Sequence, residues 1–254
     1  MWNSGRGVYE ITLPKNSRGP QRVTLSAEPG QIVVIVYADG TEKVLKKSAL
    51  EDGKIRFLLE EDASVRLVTY TNSFADVAQD AWYADAVDFV AGRELLRGVA
   101  TDRFAPNTTL SRGMLATVLC RLEGAEGETR QSDFSDVGAD AWYAQAVAWA
   151  AAEEIVVGYA DGSFRPDAPI TREQLAVMLY RYAKTQGMRT GGRDTLRSFS
   201  DSGSVSDWAR DAVAWTVDSG ILAGRPDGTL DPAGTATRAE AAAMLQRLVG
   251  LMVR

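Results

Sequence analysis

From residue 73 to the end, apolar positions recur at helical spacing, and the same two-stripe pattern is met three times. The first stripe of each period runs i, i+4, i+7: Trp82, Ala86, Phe89, then Trp142, Ala146, Trp149, then Trp208, Ala212, Trp215. The second runs i, i+3, i+4, i+7: Leu115, Val118, Leu119, Leu122, then Leu175, Met178, Leu179, Tyr182, then Ala241, Met244, Leu245, Leu248. Each spacing puts its residues on one side of a helix, so every period predicts two helices with a buried face. Aligned on Phe74, Phe134 and Phe199, the periods are offset by 60 and 65 residues, and each opens on Phe-x-Asp, ending at Asp76, Asp136 and Asp201.

Between the stripes lies conserved-looking punctuation. Gly98, Gly158 and Gly224 follow the first helix, where positive φ is expected to be cheap for glycine. Asp161-Gly162 and Asp227-Gly228 predict tight turns, with Thr101-Asp102 at that place in the first period. Phe104-x-Pro106, Phe164-x-Pro166 and Leu230-x-Pro232 come next. The second helix then starts at Ser111, Thr171 and Thr237, each read as an N-cap; Gln174 and Glu240 complete a capping box, whereas Met114 leaves the first box half-made. A unit of about 50 residues encloses too little apolar area to stand alone. The expectation is therefore one compact, mainly α-helical, pseudo-threefold domain over 73–254, with repeats at about 73–124, 133–187 and 198–250.

Residues 1–72 follow a different period. Alternating, β-branched runs at 8–13, 22–26, 31–38, 43–45, 54–59 and 64–70 predict five or six short strands, with hairpin signals at Asp39-Gly40 and Asp52-Gly53. The fold class expected is thus multi-domain α and β: a small antiparallel β-sandwich or barrel, Ig-like, as a spacer over 1–72, then the helical repeats. Lys43, Lys46 and Lys47 read as a solvated face.

Composition narrows the chemistry. The net charge is −6 and the pI about 4.9, so no basic field exists to gather nucleic acid or an acidic membrane. The chain has no histidine and one cysteine, Cys120; Ser/His/Asp triads, Cys/His catalysis and histidine-ligated zinc are excluded. No apolar run approaches the roughly 20 residues of a membrane helix. The opening Met1-Trp2-Asn3-Ser4-Gly5 lacks a signal-peptide layout, and any export signal is expected upstream, with this chain a C-terminal piece of something longer.

The repeats resemble the S-layer homology (SLH) family. The resemblance rests on Thr237-Arg238-Ala239-Glu240, with Thr171-Arg172-Glu173-Gln174 and Ser111-Arg112-Gly113-Met114 at the same place, and on Gly158-Tyr159-Ala160-Asp161-Gly162-Ser163-Phe164-Arg165-Pro166. It implies a three-pronged spindle whose inter-repeat grooves bind secondary cell-wall polysaccharide, often through a pyruvylated amino sugar. It also implies an extracellular location at the cell wall or S-layer, and non-covalent anchoring of a secreted protein rather than catalysis. Other surface-layer subunits are the further partner expected, since a self-assembling S-layer lattice protein is an alternative reading.

Only the arginine recurs in all three copies of that motif. Arg112, Arg172 and Arg238 sit in a first helical turn, where the macrodipole favours acids instead. Unpaired backbone N–H groups plus a guanidinium fork would suit a carboxylate or phosphate. The candidate polysaccharide-binding residues are therefore Arg172, Arg238, Arg112, Thr171, Thr237 and Ser111, with Arg172 and Arg238 expected to outweigh Arg112. The structural alternative pairs each arginine with Asp76, Asp136 or Asp201, and reads the hydroxyls as caps only. Trp82, Trp142 and Trp208 are expected in the core in preference to stacking on sugar, and Cys120 partly exposed. The Asp-Gly turns lack an EF-hand oxygen pattern, so neither metal nor cofactor is expected. A wall glycan hydrolase fragment using Asp161 and Asp167 is the least favoured reading, because Asp167 aligns with Asn107 and Ala233.

Overall fold

The computed structural model describes residues 2–15, 19–127, 130–191 and 195–254; Met1, the start of the segment read for an export signal, lies outside them. The chain forms two compact units, Met1–Pro106 with Leu245–Arg254, and Asn107–Met244.

The first unit holds two antiparallel sheets. One has the order β1 (Trp2–Ile11), β7 (Ala63–Tyr70), β3 (Gln31–Val36), β4 (Glu42–Val44); the other runs β2 (Gln21–Ser26), β6 (Lys54–Leu59), β5 (Ser48–Glu51). Val33, Val65 and Leu67 from the first sheet and Ile55, Phe57 and Leu59 from the second share one buried cluster, the period-2 faces the sequence predicts. Strand β5 was not predicted, because Ser48-Ala49-Leu50-Glu51 has no β-branched residue. Its partner β6 recruits it through the Asp52-Gly53 turn, where both residues have positive φ (52° and 69°), as a two-residue hairpin that follows the sheet twist requires.

The same unit contains α1 (Ala84–Gly92), the first helix of the repeats. A Cβ on Gly92 would lie 2.9 Å from the Tyr70 ring, so this glycine lets the helix approach β7 closely. Arg93 caps the helix end, donates from Nε to the Ser48 carbonyl at 2.8 Å, and lies 3.9 Å over the Phe89 ring. Burial pushes its pKa down to about 9, so it stays charged at neutral pH.

The second unit holds α2 (Arg112–Glu123), α3 (Ala144–Ala152), α4 (Arg172–Thr185), α5 (Arg210–Asp218) and the start of α6 (Arg238–Val253), with long turns between them. Every residue of the three second-helix stripes is buried. The first-helix stripes are buried only from their second member onward. Trp82, Trp142 and Trp208 are 66%, 61% and 59% exposed, which corrects the expectation of core packing. The cause is local: the α-helices begin two residues later, at Ala84, Ala144 and Arg210, so Trp82 and Trp142 lie in the preceding turn and Trp208 in a single 3-10 turn, where the α-helical period does not govern their direction. Cys120 is also corrected, being buried within α2.

Two motifs acquire a physical explanation. None of Gly98, Gly158 and Gly224 has positive φ; instead an added Cβ would lie 2.6, 2.4 and 2.3 Å from Cε1 of Phe74, Phe134 and Phe199. Glycine is needed there for a ring to pass, not for a left-handed turn. The Phe-x-Asp carboxylates each accept two consecutive backbone N–H groups, Asp76 from Phe104 and Ala105 (2.8 and 2.7 Å), Asp136 from Phe164 and Arg165 (2.7 and 2.7 Å), and Asp201 from Leu230 and Asp231 (2.8 and 2.7 Å). Ala105, Arg165 and Asp231 are left-handed, with φ of 59°, 57° and 51°. A non-glycine residue resists that conformation by about 1–2 kcal/mol, and the carboxylate clamp holds it there.

Candidate functional site

The segments that lead into α2, α4 and α6 meet in a closed cycle of backbone hydrogen bonds. Leu110 N donates to Ala236 O, Ala236 N to Ile170 O, and Ile170 N to Leu110 O, each at 2.9 Å, and all three residues are fully buried. One residue beyond each lies the predicted N-cap. Ser111, Thr171 and Thr237 accept from the amides of Met114, Gln174 and Glu240 at 3.1–3.2 Å, and Gln174 and Glu240 return a bond to the Thr171 and Thr237 amides. The three hydroxyls therefore serve as caps.

Five of the remaining first-turn amides are also taken. Arg112 and Gly113 donate to Ala168 and Pro166, Arg172 and Glu173 to Gly234 and Pro232, and Arg238 to Thr108, at 2.7–3.1 Å. Carbonyls of another repeat thus fill the positions an anion would occupy at a bare helix start. At Arg112 and Arg172 the first-turn amides are therefore closed to an anion, and the guanidinium groups are left to carry the argument there.

Arg112, Arg172 and Arg238 are 6%, 4% and 3% exposed. Arg112 Nε donates to Phe164 O at 2.8 Å and Nη2 to Val157 O at 3.4 Å. Arg172 repeats the arrangement on Leu230 O (2.7 Å) and Ala223 O (2.9 Å). Neither makes an ion pair with Asp136 or Asp201, whose oxygens hold the backbone clamps, so the alternative arginine–aspartate pairing is not made there. Burial lowers the pKa of both guanidinium groups, and each remains a cation.

Around these two arginines the surroundings differ. Arg112 faces the rings of Phe164 (4.6 Å) and Tyr159 (5.1 Å), and Arg165 stacks on the same Tyr159 at 4.0 Å. Trp142 meets Tyr143 edge-on at 5.1 Å, and a Cβ on Gly113 would lie 3.3 Å from Tyr143 Cδ1, so this aromatic pair borders the first turn of α2. Arg172 instead binds Glu240 Oε1 through Nη1 at 2.9 Å. Arg225, at the position of Tyr159, reaches the same oxygen at 3.4 Å and Asp231 at 2.7 Å. The sequence reading missed this charge network, although the Tyr159-to-Arg225 difference between repeats was a visible signal.

The Asp-Gly turns behave as turns. Gly162 and Gly228 have φ of 77° and 81°, and Asp161 accepts from Ser163, whose side-chain and backbone bonds hold the carboxyl pKa at about 2. Among the described residues no group of three or more acidic or cysteine side chains could hold a metal ion, and no helix is long and apolar enough to cross a membrane.

A chain of tandem two-helix units whose second-helix starts are joined by backbone hydrogen bonds is a repeat-built protein. The S-layer homology domain profile matches residues 73–113, 133–176 and 198–242, just over half of the sequence. The chain belongs to the S-layer homology domain family. It is 31% identical over 243 residues to an amylopullulanase of Thermoanaerobacterium thermosulfurigenes, covering 94% of this chain and 13% of that protein. It is 29% identical over 156 residues to a cellulosome-anchoring protein of Acetivibrio thermocellus (60% and 34%), and 28% identical over 168 residues to a surface-layer 125 kDa protein of Lysinibacillus sphaericus (65% and 14%). The chain therefore spans between about an eighth and a third of the length of these relatives.

Proposed function

We propose that this chain anchors a secreted protein non-covalently to the bacterial cell wall by binding an acidic secondary cell-wall polysaccharide, a pyruvylated amino sugar, in grooves between its repeats. The observation that carries the reading is a buried guanidinium, Arg112, in the same helical turn that the Trp142–Tyr143 pair borders at Gly113, with the Trp142 indole exposed. An indole face suits a sugar ring, and a cation with spare N–H donors suits its carboxylate. The family and the names of two relatives, a cellulosome-anchoring protein and a surface-layer protein, agree with a surface role. We further propose that residues 73–254 form a pseudo-threefold helical domain and that residues 1–72 act as its spacer; the cyclic bonds among Leu110, Ile170 and Ala236 support the former.

Binding of this kind needs no turnover and no cofactor, and several grooves acting together would raise avidity. The carboxylate of Asp161, held ionised in its turn, is a poor general acid, which argues against a glycan hydrolase. Membership of an S-layer lattice is the second reading, favoured by exposed Val8 and Tyr9 on the edge strand β1. Sedimentation with purified wall sacculi, before and after acid extraction of the secondary polysaccharide, tests the main reading. Binding is expected to vanish on extraction; retention on stripped sacculi would refute it.

A further inference from the structure

The two inter-repeat sites of the second unit have the same scaffold and differ in whether a carboxylate binds the buried arginine. At both, a buried arginine spends Nε and Nη2 on carbonyls of the following repeat. They part at Nη1. In Arg172 this nitrogen binds Glu240 Oε1 at 2.9 Å, and Arg225 closes on the same oxygen from the other side. In Arg112 it donates to no protein atom among the described residues. The residue in the place of Glu240 is Gln174, which is neutral and is engaged with the Thr171 amide and the Tyr159 hydroxyl, both at 3.3 Å.

A buried cation with no carboxylate hydrogen-bonded to it is a costly arrangement, and a carboxylate on its open edge relieves it. Glu240 supplies that carboxylate from within the protein at Arg172. No carboxylate binds Arg112 directly: Asp136 acts on it only through space while its oxygens hold the Phe164 and Arg165 amides, and the nearby Arg165 guanidinium is paired with Asp161 at 2.9 Å. An external carboxylate arriving at Arg172 would have to displace Glu240 and would meet Asp231 beside it.

We infer that Glu240 acts as a built-in surrogate ligand that closes the Arg172 site to anions, and that the Arg112 site, where Gln174 stands instead, is the one open to the carboxylate of the ligand. This reverses the order expected from the motifs, in which the most degenerate repeat is the weakest site. The selectivity rests on the third residue of the helix, Gln174 or Glu240, and not on the arginine common to both. It deepens the proposed function and rests on that reading for the identity of the ligand, though not for the difference between the sites.

The reciprocal substitutions Glu240→Gln and Gln174→Glu are suited to a test, because either side chain completes the capping box in this fold. Two probes are used on the full chain. Sodium acetate is titrated while the Nε–Hε resonances of Arg112 and Arg172 are followed by NMR, and purified acidic wall polysaccharide is titrated by calorimetry. In the unsubstituted chain acetate is expected to shift Arg112 and leave Arg172 in place; Glu240→Gln should make Arg172 respond as well, and Gln174→Glu should silence Arg112 and weaken polysaccharide binding at least tenfold. Equal acetate shifts at both arginines in the unsubstituted chain, or a silent Arg172 in Glu240→Gln, would overturn the inference. Should the polysaccharide fail to bind while the acetate pattern holds, the proposed function falls and the inference about the two sites stands.

Discussion

Asp76→Ala removes both acceptors of a clamp that keeps Ala105 left-handed. The bonds from Phe104 N and Ala105 N are 2.8 and 2.7 Å long, and both residues are buried, so water cannot readily replace the carboxylate. A hydrogen bond to a charged group contributes about 1.5–3 kcal/mol. The Asp76 side chain is 29% exposed, which favours the lower end, and two bonds give a loss of ~3 kcal/mol. Asp76→Asn keeps one oxygen acceptor and should lose about half of that. At about 2–4 °C per kcal/mol for a chain of this size, the alanine variant should melt ~6–12 °C lower. Scanning calorimetry is the assay of choice, because a chain of two compact units need not unfold in one step. The pair should also be coupled: Ala105→Gly removes the left-handed strain, so Asp76→Ala should cost less in that background. Alanine and asparagine variants that both stay within about 0.5 kcal/mol of the parent would refute the clamp.

Three further outcomes are expected. Glu94 and Glu154 are left-handed (φ 56°) just past α1 and α3, where the third repeat has Gly220 at 73°; Glu94→Gly and Glu154→Gly should each stabilise by ~0.5–1 kcal/mol in urea titrations, and Gly220→Ala should destabilise. Acid should weaken the fold through Asp76. Burial raises its pKa, but the amide bonds from Phe104 and Ala105 outweigh this and bring it below the usual value, so its contribution is full above pH ~4 and is lost as the pH falls through the lower folded value. A thermal midpoint that is flat from pH 5 to pH 2.5 would contradict this. Trp142→Ala should lower polysaccharide affinity about tenfold, ~1.4 kcal/mol, with a melting change of no more than about 2 °C because the indole is 61% exposed.

Features that depend on local period and local chemistry can be read from the residues alone. The second-helix stripes are buried at every position named, and the caps at Ser111, Thr171 and Thr237 lie where their hydroxyls and the residues three further on require. Hairpin turns at Asp39-Gly40 and Asp52-Gly53 were legible because only a few residues tolerate positive φ. The same local view misjudged Trp82, Trp142 and Trp208 by extending a helical period two residues past the helix start. It also gave Gly98, Gly158 and Gly224 a conformational role when a phenylalanine ring some 24 or 25 residues earlier was the reason for them.

Only the tertiary structure decided how the arginines are used. Arg112 and Arg172 sit at the same place in one motif, and the neighbours that differ, Gly113-Met114 against Glu173-Gln174, do not set the counter-ion of the arginine beside them. Their difference lies in Gln174 and Glu240, 62 and 68 residues away, which the cyclic joining of the three helix starts brings to the same place beside each guanidinium. The burial of a charge and the choice of its counter-ion are set by whichever chain segment packs against it, and local sequence pattern carries no record of that segment.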